Sequence, residues 1–374
     1  MTISANMTGG ARNPADGNAE SDSPGYPPLP RMRKSLGPIL GRYSGVLVWI
    51  VIIVIFAMWE PSTFLSNVTF KTILGGQSIT AILAMGVLYA FAAGQFDLSA
   101  AQNLGLSAEI CGGLMVSAHL SWPVAALLTI IVGAAIGAVN GAIVLLGVNS
   151  FIATLGMSSV LLAITEEIGG GTYIGPLPQS FQSIANNVYL GIPVIAFYAI
   201  LLAFMMWYVL EHTPIGRRAQ ATGANPDAAR LAGVRTTRHG FWALIVCGAI
   251  ASLAGVLVAA QIGTVSSTVG PPYLLPAFAA CLLGTTQIKV GRFNVWGTLL
   301  AIVLLATGVT GVQLAGGQLW YTDLFNGLAL IGAVSFSVWA GKRRGRGIKG
   351  GRDSRRRAAT VKLFRQVIRM KSKL

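Results

Sequence analysis

GFWALIVCGAIASLAGVLVAAQ, residues 240–261, contains no charged side chain over its whole length. A helix crosses a hydrocarbon core of about 30 Å with about 20 apolar residues, whereas a membrane strand needs only about 9–11. In lipid the backbone must satisfy its own hydrogen bonds, so a run this long and this rich in Leu, Ile, Ala and Val reads as a membrane helix. The rest of the chain repeats the pattern. It is 53% hydrophobic and 10% charged, against about a quarter charged in a soluble domain. Nine further apolar runs fall at 39–58, 70–93, 98–118, 121–147, 151–168, 192–210, 273–287, 294–314 and 322–340. The expected fold is therefore all-α, a polytopic membrane helical bundle of about ten transmembrane segments.

Charge placement sets the expected orientation. The 27 Lys and Arg residues cluster in the N-terminal region up to Arg42 at the start of the first run, in 211–239, in 288–293 and after residue 340, with Lys71 alone elsewhere. With ten crossings and both termini cytoplasmic, every cluster falls on the cytoplasmic side, as the positive-inside rule requires. The net charge of +15 is thus edge charge on membrane segments, and no nucleic-acid partner is inferred. Residues 1–38 are read as a disordered cytoplasmic tail, because Gly, Pro, Ser and Asn leave little to bury. They are not read as a signal peptide, since the apolar run begins only near Ile39. Residues 39–340 are read as one membrane domain, and 341–374 as a basic cytoplasmic tail. Leu363, Phe364, Val367 and Ile368 in that tail recur at helical spacing, which fits either a helix lying on anionic lipid or a solvated tail. Cys111, Cys247 and Cys281 lie inside apolar runs without a CxxC pair, and the three histidines are scattered. No disulfide framework, metal site or cofactor is expected.

The loop 211–239 carries the local signals of a small folded element. Asn225 suits a helix N-cap and Pro226 the first helical position, where a missing N–H costs nothing. Asp227 and Arg230 complement the two ends of the helix dipole, and Gly233 supplies a left-handed stop. The spacing predicts a two-turn helix over 226–232, exposed between two membrane runs. On spacing alone a capped basic surface loop remains equally open.

The stretch GRRAQATGANPDAARLAGV closely resembles the cytoplasmic coupling segment of bacterial ATP-binding-cassette importer permeases of the ribose type. Gly216, Arg217, Ala221, Gly223, Asn225, Ala228, Ala229 and Gly233 match its pattern. GQFDLSAA at 94–101, VNSFIATLGM at 148–157 and GRFNVWGTLL at 291–300 resemble further motifs of the same family, in the same order. Gln95, Phe96 and the Phe293-Asn294 pair depart from it, which bears on the substrate and not on the family. The resemblance implies a permease subunit in the inner, cytoplasmic membrane that imports a monosaccharide or related small polar solute. It implies three kinds of partner: a cytoplasmic ATP-binding subunit, a second permease copy or paralogue, and an extracytoplasmic substrate-binding protein. Coupling to the ATPase would use Gly216, Arg217, Gly223, Asn225, Pro226, Asp227, Arg230 and Gly233. The chain carries no GxxxxGK[ST] motif, so ATP hydrolysis is expected in a separate chain and the permease itself is not an enzyme.

Substrate sites in transporters favour interrupted spans, because free backbone is tolerated only around a cavity. AAGQFDLSAAQ is one such break, where Asp97 is expected to cap the following helix. Gln102, Gly105, Glu109 and Gly112 then make one small and polar stripe. A charged group inside a membrane helix faces a cavity or a partner by default, so Glu109 is the preferred pathway residue, against the alternative of a helix-packing face. Asn103 on the same helix, and Phe151 and Thr154 in VNSFIATLGM, complete the candidates. VGPPYLLPAFAACLLG is a second place, expected to be a bent or partial span interrupted by Pro276. Gly94-Gln95-Phe96-Asp97 is echoed by Gly291-Arg292-Phe293-Asn294, too briefly to exclude chance. Glu166, Glu167 and Asp323 fall at outer span ends, suited to a binding protein or simply to solvent.

Two other classes compete. A stand-alone secondary transporter or channel would need a coupling site, for which Asp97 with Glu109 is the visible candidate. An integral membrane enzyme is disfavoured by the lack of HExxH and of any Ser or Cys nucleophile near a His.

Overall fold

The computed structural model describes residues 37–318, 320–332 and 335. Residues 1–36 of the expected tail 1–38, the expected tail 341–374 and the end of the last expected span lie outside the described residues, and Gly37 and Pro38 already belong to the first helix. Helices α1 (Gly37–Trp59), α2 (Pro61–Phe64), α3 (Asn67–Ala92), α4 (Ala100–Val116), α5 (Trp122–Leu145) and α6 (Ser150–Gly169) build the first half. Next come α7 (Gln179–Asn186), a two-stranded hairpin of β1 (Val188–Tyr189) and β2 (Ile192–Pro193), and α8 (Val194–His212). The short helices α9 (Pro214–Ala224) and α10 (Pro226–Leu231) lead into α11 (Thr236–Ile262), then α12 (Leu274–Gly284) and α13 (Val295–Leu314). Residues 320–332 are helical.

Six of these helices, α3, α5, α6, α8, α11 and α13, are long and apolar enough to cross a membrane. The protein is thus a mostly helical membrane protein, and each remaining apolar run also coincides with a helix, shorter in its described or apolar part. Two details differ from the sequence reading. The run at 192 starts as a strand, since Pro193 stands outside α8 as its N-cap. Pro276 does not interrupt its helix: it is the third residue of α12, in the first turn, where its absent N–H has no intrahelical partner to lose.

Helices α3 and α11 form the buried centre, most of each being enclosed. They run antiparallel: Gln261 Nε2 donates to the Gly75 carbonyl at 3.3 Å, Gly86 faces Ile250 and the Cys247 carbonyl, and Gln95 lies on Gly240. α11 packs equally closely on α5. Gly133, Gly137 and Gly141 sit one turn apart on α5, and the backbone and side chains of Phe241, Leu244, Gly248 and Ser252 occupy the space a Cβ would need. Without a hydrophobic drive between helices in lipid, close approach of small residues supplies the dispersion contact that holds them. Asn103 adds polar clasps, donating from Nδ2 to the carbonyls of Gly133 at 3.3 Å and Gly248 at 3.1 Å.

The α3/α11 pairing defines two ends. One holds α9, α10 and the C-terminal end of α3, as Gly223 meets Ala92. The other holds α7 and a bridge between Ile174 and Val265. There Asn186 Nδ2 donates to the carbonyls of Ala260 and Gln261 at the end of α11.

Candidate functional site

The basic loop folds as two helices sharing one residue. Thr213 caps α9, its hydroxyl accepting from the Gly216 N–H at 3.2 Å, with Pro214 first in the helix. Asn225 ends α9 and begins α10: its φ of −160° and ψ of 97° are extended, and Oδ1 accepts from the Ala228 N–H at 3.0 Å. Pro226, Asp227 and Arg230 occupy the expected positions. Gly233 has φ +82°, a left-handed conformation that a side chain would oppose, and its N–H donates to the Arg230 carbonyl at 2.9 Å. Asp227 and Arg230 pair at 3.5 Å with both side chains exposed, so the pair contributes at most about 1 kcal/mol. Ala229 is the one buried residue of α10, while Leu231 is 92% exposed. A six-residue helix is marginal on its own, and this one turns its outer face to solvent. The loop reading missed α9, although Thr213-Pro214 carries the same cap-and-proline signal as Asn225-Pro226.

α9 joins this element to two breaks in the helical chain, the first between α3 and α4 and the second between α12 and α13. Gly216 nests on the backbone of Val209 and Leu210 in α8. Gly223 meets Ala92, Ala93's neighbour Gly94 and the turn that opens the first break. On the other side Arg292 Nη2 donates to Gln220 Oε1. Lys289 pairs with Glu211 at 2.6 Å, and Trp207 Nε1 also donates to Glu211 at 3.0 Å. Arg217 stays exposed.

The first break is a built turn. Gly94 has φ +78°. Asp97 is 1% exposed, and its Oδ1 accepts from the Ser99 N–H at 3.1 Å and the Ser99 hydroxyl at 2.6 Å. Asp97 therefore closes a turn ahead of α4 and does not cap that helix, whose N-cap residue is Ser99 itself. Asn140 of α5 donates to Ser99 Oγ at 2.8 Å. Ser150 Oγ accepts from the Phe96 N–H, and Thr154 Oγ1 accepts from the Leu98 N–H at 3.0 Å while donating to the Phe96 carbonyl. Thr154 is fully buried in this role, whereas Phe151, one position after Ser150, is half exposed on the outer side of α6. Ser99, Asn140 and Ser150 were not singled out from the sequence, because their roles depend on three separate helices meeting.

The second break has a matching plan. Gly291 has φ +83°. Asn294 caps α13, accepting from the Gly297 N–H at 2.7 Å, while its Nδ2 reaches the carbonyls of Gly284, Gln287 and Arg292. The two breaks meet on one aromatic ring: Phe91 lies 5.0 Å from Phe96, 5.4 Å from Phe293 and 4.9 Å from Phe278, centroid to centroid.

The polar stripe on α4 divides. Gly105 packs on the backbone of Gly270, and Gly112 on Val265 and Ile174. Glu109 is fully buried against Gly169 of α6, and among the described residues neither carboxylate oxygen has a hydrogen-bond partner. Gln102 Oε1 also lacks one. Asn140 Oδ1 and Gln287 Oε1, beside the two breaks, are unsatisfied among the described residues as well, and a buried polar atom without a partner is costly. Glu166, Glu167 and Asp323 are exposed.

The family described as the branched-chain amino acid transport system permease component matches residues 69–334. The autoinducer 2 import system permease protein LsrC of Salmonella typhimurium (strain LT2) is 32% identical over 296 residues, 79% of this chain and 85% of that one. The ribose import permease protein RbsC of Bacillus subtilis (strain 168) is 31% identical over 308 residues, 80% of this chain and 92% of that one. RbsC of Escherichia coli (strain K12) is 31% identical over 303 residues, covering 79% and 93%. No solved structure matches the chain. Six apolar helices and a match spanning nearly all of them make the chain a member of this family of membrane permease components.

Proposed function

We propose that the chain is the membrane subunit of an ATP-binding-cassette importer for a monosaccharide or related small polar solute. Its relatives are named for ribose and autoinducer 2 import. A separate ATPase docks on α10, a second permease copy or paralogue completes the pathway, and a substrate-binding protein approaches the opposite end, near Glu166, Glu167 and Asp323. The orientation places α9 and α10 in the cytoplasm, with ten spans and both termini on that side. It is supported by Arg217, Arg218, Arg230, Arg235, Arg238, Lys289 and Arg292, all in α9, α10 and the segments joined to them.

One observation carries the coupling role. α10 is capped at both ends and exposed, and its partner α9 grips both chain breaks through Gly223–Gly94 and Arg292–Gln220. A push on α10 therefore reaches the α3–α4 turn through the Gly223–Gly94 backbone contact, and the segment ahead of α13 through the Arg292–Gln220 side-chain pair. A permease of this kind performs no chemistry; it couples nucleotide state to two global conformations. Asp97, Asn103 and Thr154 hold the break and the helices around it, and Gln102 and Glu109 supply the unsatisfied polar groups along α4 that face the solute. The test is uptake in vesicles containing the chain and its ATPase. Replacing Asn225 and Asp227 together with Ala abolishes ATP-driven uptake while ATP hydrolysis and membrane insertion persist. Undiminished uptake would remove the coupling role.

A second reading rests on Glu109 alone, an unpartnered carboxylate suited to proton-linked transport without an ATPase. Uptake that survives ATP depletion and stops when the proton gradient collapses would favour it.

A further inference from the structure

A cavity of about 1010 Å³ opens between α8, α9 and α11, beside the linker that follows α10. Its mouth is basic. Arg218 of α9, Arg235 before α11 and Arg238 in the first turn of α11 all line it, and all are exposed. Among the described residues no Asp or Glu lines the cavity, and these three arginines have no ion-pair partner. The acidic groups nearest in sequence are committed elsewhere, Asp227 to Arg230 and Glu211 to Lys289.

The depth of the cavity is apolar. Met205, Met206 and Val209 of α8 face Trp242, Val246 and Ile250 of α11. Met205 and Trp242 are each about half exposed, so the slot is open along its side. From Trp242 to Ile250 the helix rises about 12 Å, close to the half-thickness of a hydrocarbon core of about 30 Å. The arginines therefore sit where headgroups lie, and the slot spans one leaflet.

A neutral sugar would leave three guanidinium groups without a counter-charge. An acidic peptide would leave the lipid-facing slot unfilled. We propose that this groove holds one anionic glycerophospholipid of the leaflet on the α9–α10 side, its phosphate held by Arg218, Arg235 and Arg238 and one acyl chain lying between α8 and α11. Guanidinium groups bind phosphate oxygens in a forked geometry that a lysine does not offer, and basic pockets between membrane helices suit such headgroups. The lipid braces the coupling element, because Arg218 stands on the same helix that Gly223 presses against Gly94. This assignment does not depend on the transported solute or on the ATPase.

The test uses the full chain in nanodiscs of equimolar phosphatidylglycerol and phosphatidylcholine, released into mild detergent, with retained lipid counted by native mass spectrometry. The wild-type chain is expected to keep phosphatidylglycerol at least tenfold over phosphatidylcholine. The triple variant R218Q/R235Q/R238Q lowers that ratio to one. Ala249→Trp fills the slot without altering charge and lowers retention likewise, with gel filtration reporting the fold of both variants. Equal retention of the two lipids by the wild-type chain would overturn the proposal. So would a triple variant that keeps the wild-type ratio, or an Ala249→Trp chain that retains phosphatidylglycerol undiminished.

Discussion

Gly223 of α9 and Gly94 of the first chain break touch backbone to backbone. A Cβ at Gly223 would lie 2.8 Å from the Gly94 nitrogen, and one at Gly94 would lie 3.1 Å from the Gly223 Cα. Gly94 also holds φ +78°, so neither position accepts a side chain freely.

Gly223→Ala is the smallest change that tests this contact. The added methyl meets the Ala92 carbonyl and the Gly94 nitrogen, both backbone atoms that cannot rotate away. Overpacking of this kind costs about 1–3 kcal/mol. Thermal unfolding in detergent should show the loss, and uptake should fall at least tenfold at equal membrane abundance. Unchanged uptake would show that α9 moves independently of the break.

At α10 the two substitutions of the uncoupling variant act differently. Asn225→Ala removes the cap on the Ala228 N–H and costs about 1 kcal/mol locally. Asp227→Ala removes only an exposed pair and should leave thermal stability within about 0.5 kcal/mol. Hydrogen exchange of the 226–231 amides is expected to rise in the first variant and not in the second.

Asn294 has a larger structural task. Its side chain caps α13 and satisfies the carbonyls of Gly284, Gln287 and Arg292 while 3% exposed. Asn294→Ala loses the cap and strands buried carbonyls, a cost of about 2–3 kcal/mol. A fall in thermal stability well beyond that of Asn225→Ala is the expected result.

Glu109 separates a pathway group from a packing group. Glu109→Gln keeps size and polarity, so insertion should match the wild type. If the side chain faces the solute, KM for uptake shifts by about tenfold, the effect of about 1.4 kcal/mol. Unchanged kcat and KM would assign it to the α4–α6 contact with Gly169.

The legible parts of the sequence were those decided by neighbours along the chain. The run at 240–261 and the cap signals at Asn225, Pro226 and Gly233 each depend on a few consecutive residues, and the structure has α11 and α10 there. The echo between 94–97 and 291–294 was visible as a pattern. Its physical content, two left-handed glycines and two phenylalanines meeting on Phe91, needed the folded chain. Asp97 was misjudged as a helix cap because the sequence does not say that Ser99 takes its carboxylate. The stripe on α4 mixed two environments, since Gly105 and Gly112 pack on the 263–270 segment while Glu109 turns to α6.

Leu231, 92% exposed on the outer face of α10, gives the most direct test of the coupling account. A photo-crosslinking residue placed there in native membranes, with the adduct identified by mass spectrometry, reports what α10 touches. The account predicts a single major adduct to a chain carrying a GxxxxGK[ST] motif, lost when Asn225 and Asp227 are both replaced by Ala. Adducts to lipid or to this chain alone, with uptake still driven by ATP, would contradict it.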